Sequence, residues 1–142
     1  MKAIRTGVRE WIATNDRGAI VKIGDPAAPE VFSPGELLQL AAATCAGLSI
    51  DHRLTYALGE DVHVTLDVEP DKVDEENRYS AINTTFSIDL ADLGQDELLA
   101  LQRKIDEAIE RSCTVKRTLD ATAESRHVLK HVPRDENSGP LE

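Results

Sequence analysis

Ser33-Pro34-Gly35-Glu36-Leu37-Leu38 opens the stretch that organises the chain, and Gln39-Leu40-Ala41-Ala42-Ala43-Thr44-Cys45-Ala46-Gly47-Leu48 continues it. Ser33 is placed to cap a helix N-terminus. Pro34 suits the first helical position, where its missing N–H costs nothing. Glu36, three residues after Ser33, completes a capping box. The run from Leu37 to Leu58 then reads as one helix, with Gly59 as its C-cap. Its first half is apolar on nearly every face, which is the pattern of a buried helix.

Working outward, the segment before this helix reads as strands. Val8 to Thr14 carries apolar and β-prone residues, Asn15-Asp16-Arg17-Gly18 is a turn, and Ala19 to Ile23 is a second strand, so the two form a hairpin. Pro26 to Pro29 reads as a loop and Glu30-Val31-Phe32 as a short third strand. After the helix, Asp61 to Val68 alternates polar and apolar residues with the period of a half-buried strand. Glu69 to Asn77 is acidic and polar, and reads as a hairpin loop. Tyr79 to Ile88 is the returning strand. Gln95 to Arg111 is an amphipathic helix with Leu98, Leu101, Ile105, Ala108 and Ile109 on one face. Thr114 to Leu129 reads as a last strand or two. The order predicts an α+β fold, with mostly antiparallel strands and the helices gathered on one face. A single domain is expected over residues 1–132, with 133–142 as a frayed tail.

The chain has 142 residues, enough for one domain. At that length, folding buries about two-thirds of the surface the unfolded chain exposes, so a core can form without staples. Twenty-six acidic against sixteen basic side chains give a formal net charge of −10. Such a chain repels phosphate backbones and anionic lipid surfaces, which argues against nucleic acid and membranes as partners. Residues 1–10 hold Lys2, Arg5 and Arg9 and no apolar core of a signal segment. The expected setting is the cytoplasm, where lone cysteines are reduced, catalytic or redox-sensing rather than structural.

Cys45 and Cys113 are the two cysteines. They are too few for a disulfide scaffold, and too few for a structural zinc site unless histidine completes it. Cys45 falls in the middle of the apolar helix, where the plain reading is a small core residue. A helix interior offers no terminal amides to lower its pKa, so a reactive Cys45 needs a cation from elsewhere in the chain. Cys113 ends the second helix, close to Lys116 and Arg117. Sequence does not decide whether the two meet; if they do, the pair can cycle between dithiol and disulfide. His127 and His131 have the spacing of a helical metal pair, but their surroundings read as strand and tail, and no metal or other cofactor is implied. Asp71, Asp74, Glu75 and Glu76 lack calcium-loop spacing and read as a solvated loop.

The opening Ser33-Pro34-Gly35-Glu36-Leu37-Leu38, the alanine-rich run to Cys45 and the later Ser112-Cys113-Thr114-Val115 together resemble the OsmC/Ohr family of thiol-dependent hydroperoxide reductases. The resemblance covers nearly the whole chain and implies the OsmC-like fold: N-terminal antiparallel strands, a buried central helix, two strands, an amphipathic helix and a C-terminal strand. It further implies an intertwined homodimer with active sites near the interface. The implied substrate is an organic hydroperoxide, with Cys45 as the peroxidatic thiolate, Cys113 as the resolving thiol and a dithiol reductant to reopen the disulfide. The family uses an arginine from an N-terminal loop, and Ala13-Thr14-Asn15-Asp16-Arg17-Gly18 is similar to that loop, so Arg17 is the candidate; its plain reading is a solvated turn residue. Many peroxidase members have a carboxylate directly after the helix-opening proline. Here Gly35 stands there, and Glu36 is one step on, about 100° round the helix, with a capping role of its own. Glu36 is therefore a candidate shared between two jobs. The alternative reading is an OsmC-like small-molecule binding or redox protein without efficient peroxidase activity.

Overall fold

The computed structural model describes residues 1–130. The helix that begins at Ser33 is α1, Pro34–Leu58. Its start is fixed by the expected reciprocal cap: Ser33 Oγ accepts from the Glu36 N–H at 3.3 Å, and Glu36 Oε2 accepts from the Ser33 N–H at 2.7 Å. Gly59 closes it with φ 94° and ψ 169°, a conformation essentially restricted to glycine, while its N–H donates to the Thr55 carbonyl at 2.9 Å.

Two separate antiparallel sheets flank α1 in the chain. Strands β1 (Lys2–Gly7), β2 (Glu10–Thr14) and β3 (Ile20–Ile23) form a meander in which Ile4 faces Ile12, and Ala13 faces Val21. Strands β4 (Val64–Val73) and β5 (Arg78–Ile88) form a long hairpin that sets Leu66 opposite Phe86. Helix α2 (Gln95–Ser112) follows, and then a short helix α3 (Thr114–Asp120). The core lies where α1 and α2 cross the β4–β5 hairpin. Ile50 and Leu54 of α1 and Ala108 of α2 are buried there, packed by Phe86, Ile88, Ile105 and Ile109. This layering holds Cys45, in mid-α1, against the end of α2.

The mixed α+β order agrees with the sequence, and several elements differ from expectation. The expected C-terminal strand over Thr114–Leu129 is instead the helix α3, and residues 123–130 have no regular structure. The β-branched Thr114, Val115 and Thr118 suggested a strand. Local bonds override that preference: Cys113 Sγ caps the first turn, Thr118 Oγ1 donates to the Thr114 carbonyl at 2.8 Å, and Lys116 pairs with Asp120 one turn on at 2.7 Å. The acidic stretch from Glu69 is not a loop, because β4 runs on to Val73 and only Asp74–Asn77 turns. In a two-stranded sheet each strand has an open edge, so Pro70 fits the strand despite lacking a donor. The chain also has a first strand, Lys2–Gly7, that its charged residues concealed. Val8 and Arg9 form the turn to β2, with Arg9 at φ 61°. Phe32 contributes only an isolated bridge to Ile23. The expected tail, residues 133–142, lies outside the described residues.

Helix α1 is not buried on all sides. It buries Ala43, Ala46, Ile50 and Leu54, whereas Leu48 is 79% and Tyr56 84% exposed. A single chain leaves much of this apolar helix uncovered. No helix among the described residues is long and apolar enough to cross a membrane.

Ile50 is the largest fully buried side chain of the core. Ile50→Ala is expected to lower unfolding free energy by about 2–5 kcal/mol, read as a fall in the urea midpoint. A loss under about 1 kcal/mol would contradict this core assignment.

Candidate functional site

Two thiols far apart in the sequence, one within α1 and one at the end of α2, come together. Cys113 joins two helices. Its N–H ends α2 by donating to the Ile109 carbonyl at 2.9 Å, and its Sγ accepts from the Lys116 N–H at 3.4 Å to cap α3. It is fully buried, while Cys45 is half-buried, and both are free thiols. They lie close enough that each alters the other's protonation.

The surroundings separate the two thiols electrostatically. The Val115 N–H beside Cys45 holds that thiol below its ordinary pKa. Burial opposes this, and the Cys113 thiol and the Thr114 N–H add to the lowering. Cys113 moves the other way: burial pushes it up, and its neighbour Cys45 adds to the rise against the Lys116 amide. The arrangement favours one anion, on Cys45, beside one neutral donor, Cys113. From its mid-helix position Cys45 is expected to need a cation, because its own helix offers no free amides there. The amides come instead from another helix, α3, whose residues read as a strand in the sequence.

Lys116 sits next to this pair without serving it as a free charge. Its Nζ contacts Asp120 Oδ2 at 2.7 Å and Glu110 Oε1 at 2.9 Å, and these hydrogen bonds raise its pKa. The carboxylates tie the end of α2 to α3 around Cys113. Glu36 is engaged in the cap, and the Ser33 N–H is the main cause of its lowered pKa. Arg17 lies exposed in the turn between β2 and β3, a turn closed by Asn15 Oδ1 accepting from the Arg17 and Ala19 N–H groups at 2.9 and 3.0 Å. Within one chain its guanidinium is not among the groups acting on Cys45. The sheet that carries it packs little against the helices, and Ile20 on that sheet is 70% exposed. Among the described residues, no group of three or more His, Cys, Asp or Glu side chains is arranged to hold a metal. His127 is exposed, and His131 lies outside the described residues.

A cavity of about 1070 Å³ opens beside the thiols. Leu38, Ala42 and Ala46 of α1, Phe86 of β5 and Ile109 of α2 give it an apolar wall, and Cys113 lines one part of it. Cys45 is not on this wall but adjoins Ala46, which is. Gly35 and Tyr79 line the cavity too, and sequence reasoning assigned neither to a ligand. A Cβ at position 35 would collide with the Tyr79 hydroxyl, and Gln39 Nε2 donates to that same hydroxyl at 3.0 Å. The available signal was the glycine itself: inside a helix it costs up to about 1 kcal/mol relative to alanine, unless something needs the space.

The fold is shared with solved proteins. An OsmC-like protein from Mycoplasma pneumoniae superposes with a TM-score of 0.62 at 15% identity, over 85% of this chain and 86% of that one. The organic hydroperoxide resistance protein OhrB of Bacillus subtilis gives a TM-score of 0.52 at 23% identity, over 82% and 88% of the two chains. In sequence, an uncharacterized protein of Mycobacterium tuberculosis is 40% identical over 115 residues, 81% of this chain and 84% of that protein. The family model for OsmC-like proteins matches residues 27–127, a span that holds the capped helix, the hairpin and both thiols. On these matches and on the helix–hairpin–helix order that carries Cys45 and Cys113, the chain belongs to the OsmC-like family.

Proposed function

We propose that this protein reduces organic hydroperoxides through Cys45 and Cys113. The observation that carries the reading is the contact between the two thiols, with amides of α3 lowering one and burial raising the other. The Cys45 thiolate attacks the distal oxygen of RO–OH and the O–O bond breaks. The alkoxide leaves and takes a proton as the alcohol, and the sulfur keeps the hydroxyl as a sulfenic acid. The Cys113 thiol then attacks that sulfur, forming the S–S bond and releasing water. A dithiol reductant reopens the disulfide by exchange and is itself oxidised. The cavity beside the thiols suits the organic part of such a substrate. It also favours a second reading, a binding protein in which Cys45 only packs.

A second copy of the chain completes the account. The exposed apolar residues of α1 and the poorly packed β1–β3 sheet support a homodimer in which each covers the other. In that dimer Arg17 of one copy approaches Cys45 of the other, and its charge strengthens the thiolate. Glu36 stays in its cap.

Two measurements test this. Intact mass after one equivalent of cumene hydroperoxide is expected to fall by two hydrogens, and Cys45→Ser abolishes the loss. Unchanged mass with both thiols still titratable would favour the binding protein. Mixing inactive Cys45→Ser with weakly active Arg17→Ala subunits is expected to restore part of the peroxidase rate, because one mixed site then holds both groups. No recovery in a mixed dimer would contradict an arginine given across the interface.

A further inference from the structure

The geometry points to Tyr79 as a specificity-determining residue that hydrogen-bonds the end of the ligand remote from the thiols. Three observations converge on its hydroxyl. Gly35 leaves the space the hydroxyl fills, since a Cβ there would strike it. Gln39 Nε2 donates to it at 3.0 Å, occupying an acceptor lone pair and fixing the ring. A phenol can donate as well as accept, and among the described residues no protein acceptor takes its proton. The hydroxyl therefore offers a donor to whatever occupies the cavity that Tyr79 and Gly35 both line.

The position of this donor sets what it can read. Gly35 and Ala46 lie on the same cavity wall, eleven positions apart, which is roughly 16 Å of helix axis. Tyr79 thus stands near one end and Cys113, the neighbour of Cys45, near the other, with Leu38 and Ala42 between them. A fitting guest has its reacting end at the thiols, a slim apolar body, and an acceptor oxygen at the far end. The two cations nearest Tyr79 on the lining are already matched by carboxylates: Lys72 pairs with Asp74 at 3.0 Å and Arg78 with Glu76. A neutral acceptor, a hydroxyl or carbonyl, fits this end better than a carboxylate.

Only the identity of the reacting end rests on the peroxidase reading, so the test uses unreactive probes. Decanol and decanediol share one body and differ by a terminal hydroxyl. Titration calorimetry on the whole protein is expected to show decanediol binding roughly five-fold more tightly, the effect of one neutral hydrogen bond. Tyr79→Phe keeps the ring and is expected to abolish that preference. Gly35→Ala, which favours the helix but evicts the hydroxyl, is expected to abolish it as well. Equal binding of the two probes by the unmodified protein, no binding of either, or a preference that survives Tyr79→Phe would overturn the inference. A preference that holds in a protein whose mass is unchanged by hydroperoxide would uphold Tyr79 and reject the peroxidase reading.

Discussion

The first turn of α3 sets its amides beside a thiol in the middle of α1, and the chemistry proposed for this protein depends on that placement. A cysteine inside an apolar helix is ordinarily inert, because burial disfavours its thiolate. Here the Val115 and Thr114 N–H groups act on Cys45 and hold its pKa down. Those amides are placed by Cys113, which ends α2 with its backbone and caps α3 with its sulfur. The residue that would resolve a sulfenic acid is also the joint that aims the donors. The Glu110–Lys116–Asp120 ion pairs bridge the same joint.

What the sequence reveals here is what short-range chemistry encodes. Ser33, Pro34 and Glu36 announce the start of α1 because a capping box is complete within four residues. The alternation in Tyr79–Ile88 announces β5 for the same local reason. Helix α3 is hidden because its cap is a sulfur and its ion pairs reach back to Glu110, so its β-branched residues mislead. The environment of Cys45 is hidden in turn, since its donors lie on that misread element. Gly35 is visible as an oddity in the first turn, but its cause, Tyr79, is on another element and can be found only in three dimensions.

The uncovered parts of the chain are as informative as the packed ones. Leu48 and Tyr56 on α1 and Ile20 on the N-terminal sheet leave apolar surface facing water. The net charge of −10 makes a local positive group valuable to any thiolate. Arg17, on the loosely attached sheet, is the group that the proposed dimer would bring to Cys45. The cavity has two unlike ends, with Cys113 on one and the Tyr79–Gln39 pair on the other.

The pH dependence of Cys45 alkylation tests the central claim most directly. It is best followed by peptide mass in Cys113→Ser, which removes the second thiol and keeps a hydroxyl donor. A lowered pKa means that the thiolate persists as pH falls, so Cys45 is predicted to react with a midpoint below the ordinary thiol value of about 8.5. In the unmodified protein Cys113 is predicted to become reactive only above that value. A Cys45 midpoint at or above the ordinary value would contradict the account.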